Sequence, residues 1–250
     1  MIEKRLGLVF ALLLSHTLFA KENVAPPVSV QPETLKESWA VGWWMPRHEE
    51  VVKRVAKGNV DLLMIGDSIT HWWQKFGKQR RGAQMVWDEY YGGRNAVNLG
   101  FAGDRTENVL WRLQNGEVAG ISPKLAVLMI GTNNAGHRKE DPQMTARGIQ
   151  ATLSELRTRL PTTKILLLAI FPRGADEDDE FRKLNTRTNA LIGKFADDKM
   201  VFFLDVNSRF LVENGNLNKS IMPDLLHPNE QGYRIWAEAM EPTIKKLMGE

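Results

Sequence analysis

Val60–Thr70 reads VDLLMIGDSIT, a short apolar run that stops abruptly at Gly66-Asp67-Ser68. A run of this length, closed by a glycine, reads as a strand buried on both faces. Ser68 then stands at the strand's carboxyl end, where a helix begins. In open α/β sheets that edge is where ligands bind. A serine in this place is a helix N-cap, a nucleophile or both, and these eleven residues leave the choice open.

Outward from this run the pattern repeats. Val60–Ile65, Ala96–Leu99, Leu125–Ile130, Ile165–Ile170 and Val201–Leu204 read as buried strands, with helical patterns between them. Asp104 is the expected N-cap of a helix over Arg105–Gln114, with Glu107 at capping-box spacing. Ile149, Leu153, Leu156 and Leu160 form one helical stripe, and Phe181, Leu184, Leu191, Ile192 and Phe195 another. The last helix follows Pro228 and carries Trp236, Met240, Ile244 and Leu247. Strand–helix alternation of this kind predicts a mostly parallel sheet with helices on both faces. The acidic run Asp176–Glu180 reads as a solvated helix start.

At 250 residues the chain is long enough for one sizeable core. Its 43% hydrophobic and 25% charged residues are ordinary for a globular protein. The net charge of +3 is spread along the chain, which argues against a nucleic-acid surface. With no cysteine there are no disulfides and no thiolate metal sites. Residues 1–20 have the basic start (Lys4, Arg5), apolar run (Leu6–Leu14) and small exit residue (Ala20) of a secretory signal. That implies a secreted or periplasmic protein with no membrane span in the mature chain, although Leu18 makes an imperfect cleavage site. Retention of the segment as an anchor is the alternative. Residues 21–58, with Pro26, Pro27, Pro32 and the tryptophan-rich SWAVGWWM at 38–45, read as an N-terminal extension packing on a domain at 59–250. Within it, Arg47–Lys57 has helical spacing and Gly58-Asn59 ends it.

Parallel strands deliver specific residues to one edge. The first brings Asp67-Ser68, the second Gly100–Asp104 and the third Gly131–Asn134, while the loop Pro223–Pro228 precedes the last helix. Acyl transfer needs a hydroxyl nucleophile, a base and a carboxylate to orient it. Ser68, His227 and Asp224 are those residue types. It also needs donors aimed at the developing oxyanion. The Ser68 and Gly103 N–H groups and the Asn133 side chain supply them, and a glycine at 103 leaves the backbone accessible. Taken one by one, the glycines and asparagines are ordinary turn residues, and Asp224 with His227 is an ordinary surface pair. Together on one edge they describe a site. His71, three residues after Ser68, is an alternative base, although no nearby carboxylate would orient it. His137 with Asp141 reads as a solvent-facing helix pair, and Asp205 as a structural hydrogen-bonding group. Trp43, Trp44, Trp72 and Trp73 are candidates for packing or for lining a sugar-binding cleft. Nothing resembles a phosphate loop or a metal cluster.

GDSIT (66–70), NLGFAGDRTENVLWRL (98–113), GTNN (131–134) and DLLHP (224–228) resemble the four sequence blocks of the SGNH, or GDSL-type, serine esterases. Four blocks in order over about 58–250 are a specific signature. VLWRLQNGE (109–117), GTNN and FPRG (171–174) look closest to the branch holding the catalytic subunits of intracellular platelet-activating-factor acetylhydrolase. The resemblance implies a flavodoxin-like three-layer α/β/α sandwich with a roughly five-stranded, mostly parallel sheet. It implies Ser68 as nucleophile, Gly103 and Asn133 as oxyanion donors, Asp224 and His227 as acid and base, and no metal or organic cofactor. The signal and the extension have no counterpart expected in the intracellular enzymes, so neither substrate nor assembly is carried over from them. The resulting expectation is an exported esterase for short acyl, chiefly acetyl, esters of carbohydrates. The alternatives are a lipid or phospholipid acyl hydrolase and a non-catalytic glycan-binding module.

Overall fold

A computed structural model describes residues 26–74 and 82–250. The expected signal at 1–20 lies outside the described residues. The apolar runs become five strands: β1 (Leu62–Gly66), β2 (Ala96–Gly100), β3 (Leu125–Met129), β4 (Lys164–Leu168) and β5 (Val201–Leu204). All pair in parallel, in the order β2-β1-β3-β4-β5. That is the flavodoxin-like order, with its switch point between β1 and β3. The strands end within two residues of the sequence expectation.

Alternation along each strand sends side chains to two separate cores. Leu63, Ile65, Val97, Leu99, Ala126, Leu128, Ile165 and Leu167 join one core. It is closed by α1 (Trp44–Val55), α4 (Thr106–Gln114), α6 (Pro142–Arg159) and Ile192 of α7 (Glu180–Ile192). Leu62, Met64, Leu125, Val127, Leu166 and Leu168 join the other. That core is closed by the short α2 (Ser68–His71), by α3 (Gln84–Tyr91) and by α8 (Glu230–Met248). The result is a three-layer α/β/α sandwich with every strand's carboxyl end on one edge.

Residues 26–43 run over the α4 and α6 side. Leu35, Ala40 and Trp44 are buried in the first core. Ser29 Oγ donates to the Met144 carbonyl at 2.9 Å, and Thr106 Oγ1 donates to the Ser29 carbonyl at 2.9 Å. Asn108 Nδ2 donates to the Glu33 carbonyl at 2.9 Å.

Three local expectations change. Asp104 is not the cap of α4. Arg105 holds that place, and its N–H donates to Asn108 Oδ1 at 2.9 Å, while Asp104 is fully buried. The buried face of α7 is Arg182, Asn185, Thr188 and Ile192; of the expected stripe Phe181, Leu184, Leu191, Ile192 and Phe195, Ile192 is buried and Leu191 and Phe195 pack against the first core, while Phe181 and Leu184 stay half-buried. The polar side chains turn inward because they bond to strand-end backbone: Asn185 Nδ2 donates to the Phe171 carbonyl, and Asn189 bonds both N–H and carbonyl of Ile170. His137 and Asp141 do not share a helix. Among α5 (Thr132–Arg138) and its neighbours, His137 meets Arg105, while Asp141 caps α6 through the Gln143 N–H.

Candidate active site

The sequence leaves Ser68 either a cap or a free hydroxyl, and Asp67 resolves this. Asp67 is the N-cap of α2, its Oδ1 accepting the Ile69 N–H at 2.9 Å. The Ser68 hydroxyl is thereby spared, and it lies 2.9 Å from His227 Nε2. The turn is tight: a side chain on Gly66 would overlap Thr70 Oγ1 and the Met129 carbonyl. Tyr233 of α8 donates its hydroxyl to the Ile69 carbonyl at 2.6 Å and ties the two helices that carry the edge.

His227 is oriented on its other side by Asp224. Nδ1 lies 2.8 Å from Asp224 Oδ2, and Asp224 Oδ1 accepts the His227 N–H at 2.7 Å and the Leu226 N–H at 3.1 Å. Leu225, between them, has φ 60°, a conformation that a branched residue adopts only under constraint. This kink lets a three-residue spacing fold the carboxylate back onto its own histidine. Burial pushes the Asp224 carboxyl up, but the hydrogen bonds from His227 and Leu226 outweigh it and hold the group below the usual carboxylate value. The ring of Trp72 packs on the His227 imidazole with centroids 4.1 Å apart. Beside them lies an open cleft of about 540 Å³, lined by Trp72, Pro223, Asp224, His227, Asn229 and Glu230.

The β2–α4 turn holds Gly103 at φ 82°, the left-handed region that favours glycine. A side chain there would also overlap the Trp39 ring. Asn133, in the first turn of α5, donates from Nδ2 to the Asp104 carbonyl at 2.9 Å. An amide nitrogen carries two hydrogens, so one remains. Asn134 beside it bonds the Thr106 N–H and hydroxyl, locking α5 to α4. Thus Gly103 and Asn133 meet through the backbone of Asp104.

Beneath this turn is a set of buried charges that the sequence reading missed. Asp104 accepts from Trp44 Nε1 and Arg112 Nε, each at 2.7 Å. Arg112 also pairs with Glu117, whose other oxygen lies 2.9 Å from His48 Nδ1. The Arg112 guanidinium stacks 4.0 Å from the Phe101 ring centre. Burial pushes the Asp104 carboxyl up to about 6, against the opposing pull of Arg112 and Trp44. The available signal was Arg112 itself, standing three residues after Val109 and one before Leu113, on the face of α4 that turns inward. Asp67 is driven up to about 7, chiefly by burial, with Asp104 adding repulsion and the Ile69 N–H and Arg173 opposing.

His71 does not stand at the Ser68 hydroxyl. Its Nδ1 accepts the Ala102 N–H at 3.2 Å, so it supports the 101–103 turn from below. Burial, then the charges of Arg47 and Arg112, push it down to about 2. Asp205 accepts the Asn207 N–H in a local turn. Of the four singled-out tryptophans, Trp44 and Trp73 are core, Trp43 is partly buried near His71, and Trp72 borders the cleft. Among the described residues no group of acids and histidines is placed to hold a metal ion.

The family model for GDSL-like lipases and acylhydrolases matches residues 64–235. The chain is 31% identical over 219 residues to the platelet-activating factor acetylhydrolase IB subunit alpha1 of Bos taurus, covering 87% of this chain and 89% of that one. It is 32% identical over 209 residues to subunit alpha2 of Rattus norvegicus, covering 83% and 86%. The first match is longer than the span 59–250, so it reaches into the N-terminal extension and corrects the expectation that this region has no counterpart. Among solved structures, a GDSL-like lipase from Bacteroides thetaiotaomicron superposes with a TM-score of 0.63 at 20% identity, covering 81% of this chain and 96% of its own. An acetylxylan esterase from Geobacillus stearothermophilus superposes with a TM-score of 0.58 at 18% identity, covering 77% and 95%.

Proposed function

From the premise that the chain belongs to the GDSL-like lipase/acylhydrolase family, and is a carboxylic ester hydrolase, we propose that it removes short acyl groups, acetyl above all, from O-acylated carbohydrates outside the cytoplasm. The observation that carries the chemistry is the run of contacts from Ser68 Oγ to His227 Nε2 at 2.9 Å and from His227 Nδ1 to Asp224 at 2.8 Å. In this reading Ser68 Oγ attacks the ester carbonyl carbon while its proton passes to His227 Nε2. Asp224 holds the imidazole and stabilises the imidazolium. The negative oxygen of the tetrahedral intermediate is met by the Ser68 and Gly103 N–H groups and the free hydrogen of Asn133 Nδ2. When the intermediate collapses, the bond to the alcohol oxygen breaks and His227 returns the proton to that oxygen. Water, deprotonated by His227, then attacks the acyl-Ser68 ester; the bond from the acyl carbon to Ser68 Oγ breaks, His227 returns the proton to Ser68 Oγ, and the acid is released.

The carbohydrate assignment is supported by a cleft that is open and edged by Asp224, Asn229 and Glu230, groups suited to hydroxyls. The family's lipid-acting relatives favour a second reading, a phospholipid acyl ester as substrate. Export rests on the amino-terminal signature, and no helix among the described residues is long and apolar enough to cross a membrane.

One experiment separates these readings. A series of p-nitrophenyl esters of increasing acyl length is run on wild type and Ser68→Ala, followed by acetate release from acetylated xylan. The expected result is a steep preference for acetate, release from xylan, and loss of turnover by roughly 10⁴-fold or more in Ser68→Ala. A preference for long acyl chains without xylan deacetylation moves the assignment to lipid. Undiminished turnover by Ser68→Ala removes the nucleophile.

A further inference from the structure

Trp39 is 52% exposed, one of the few large apolar side chains left open to water among the described residues. Its position is specific, because the edge of its ring lies against Gly103, in the space where any side chain at that residue would stand. We propose that Trp39 is a specificity-determining residue, a platform on which a sugar ring of the substrate's alcohol portion stacks beside the Gly103 turn.

The segment that carries Trp39 is fixed on both sides. Before it, the Glu33 N–H donates to the Glu107 carbonyl at 3.2 Å, and Glu37 pairs with Arg105 at 3.0 Å. Leu35 is buried next to the same glycine. After it, the Ala40 N–H closes a turn onto the Glu37 carbonyl at 2.8 Å, and Ala40 is buried. Trp43 backs the indole. Their rings stack with centroids 6.1 Å apart and planes inclined by 22°, and Trp43 Nε1 donates to the Trp39 carbonyl at 3.2 Å. Trp43 in turn packs on His71, whose Nδ1 holds the Ala102 N–H. Little conformational freedom is therefore lost when a ligand meets this surface.

A tryptophan needed only to support the turn would be buried on both faces, as Trp44 is at 1% exposure. Trp39 instead presents a flat aromatic face, its edge at an expected oxyanion donor. The C–H groups on one side of a pyranose carry partial positive charge and match the negative face of an indole, while the equatorial hydroxyls stay in water. An acyl chain asks for a concave apolar slot, which a single exposed ring does not make.

This inference rests on the carbohydrate reading of the function, and its test separates the two. Steady-state kinetics on an acetylated xylo-oligosaccharide and on p-nitrophenyl acetate are compared for wild type, Trp39→Ala and Trp39→Phe. Trp39→Ala is expected to lower kcat/KM on the oligosaccharide ester roughly three- to tenfold more than on p-nitrophenyl acetate, through KM, the size of one aromatic contact. Trp39→Phe should restore most of the difference. Unacetylated xylo-oligosaccharide should inhibit p-nitrophenyl acetate hydrolysis by wild type, and much less by Trp39→Ala. An equal fall on both substrates would make Trp39 a support for the Gly103 turn, and no fall on either would remove it from the site; both overturn the proposal. Wild type that neither deacetylates nor is inhibited by the saccharide overturns the carbohydrate reading itself, and the platform with it.

Discussion

The Asp224–His227 pair lies in a surface loop, with side-chain exposures of 36% and 14%, whereas Asp104, Arg112 and Glu117 beneath the Gly103–Asn133 pair have none. One pair is held by short-range bonds inside the segment 224–227, aided by the strained Leu225. The other depends on partners from α1, α4, α5 and the N-terminal segment. In the proposed mechanism His227 moves a proton and exchanges with solvent, so a local, partly wet mounting suits it. The proposed oxyanion donors work by not moving, since their contribution comes from dipoles oriented in advance. Burying charges to hold such a turn is expensive unless they are paired, and here Arg112 pairs with both Asp104 and Glu117, while His48 lies at hydrogen-bond distance from Glu117.

That contrast breaks most visibly at Arg112. Arg112→Met leaves Asp104 and Glu117 buried without their cation, which costs roughly 3–5 kcal/mol. For a chain of this size the melting temperature should fall by roughly 6–20 °C. Asp224→Asn, at the wet end, should move it by no more than about 2 °C while lowering kcat strongly. Thermal melts of the two variants decide the matter; similar melting temperatures would mean that the buried charges do not hold the turn.

Next in size is Asn133→Ala. If the amide meets the oxyanion, kcat should fall by about 10²–10³-fold with KM little changed. The variant also loses the bond to the Asp104 carbonyl, so its melting temperature is measured beside the kinetics. A rise in KM with kcat intact would turn Asn133 into a substrate-binding or purely structural group.

The same contrast explains what could be read from the chain. The strands were legible because burial on both faces leaves continuous apolar runs, and their parallel order followed from the helices between them. Ser68, Gly103, Asn133, Asp224 and His227 could be proposed as a set because Ser68 and Asn133 open helices just after β1 and β3, Gly103 lies in the turn after β2, and Asp224 and His227 lie in the loop before α8. The supporting charges were not. Arg112 and Glu117 carry the residue types of an exposed helix face, and only their partners, from Asp104 to His48, explain their burial. Asp104 looked like a cap because aspartate often is one; a neighbouring arginine 0% exposed drew it inward instead. The polar inner face of α7 escaped for a similar reason, since strand-end backbone at Ile170 and Phe171 is a partner that side-chain periodicity cannot reveal.

The smallest expected effect is a pH slope, and its sign differs between the two regions. Asp67 is raised to about 7 in the fold, so between its unfolded value of 3.8 and that point the folded chain binds the extra proton. Unfolding then releases a proton, and stability falls as pH rises through 7. Asp224 is lowered, so its contribution is present above 3.8 and lost only as pH falls below that value. His71, lowered to about 2, and His137, also lowered, act in the opposite sense, because the unfolded chain still binds protons at these residues around 6.5. Between pH 6.5 and 8.5 Asp104, at about 6, is already largely ionised, and Asp67 is isolated as the difference between wild type and Asp67→Asn. That difference should be on the order of 1 kcal/mol across the window, a few degrees in melting temperature. Asp67→Asn retains an oxygen for the Ile69 N–H and should remove this contribution to the slope. A slope unchanged in Asp67→Asn would show that the buried carboxyl beside Ser68 is ionised throughout, and that the nearby charge of Arg173 outweighs its burial.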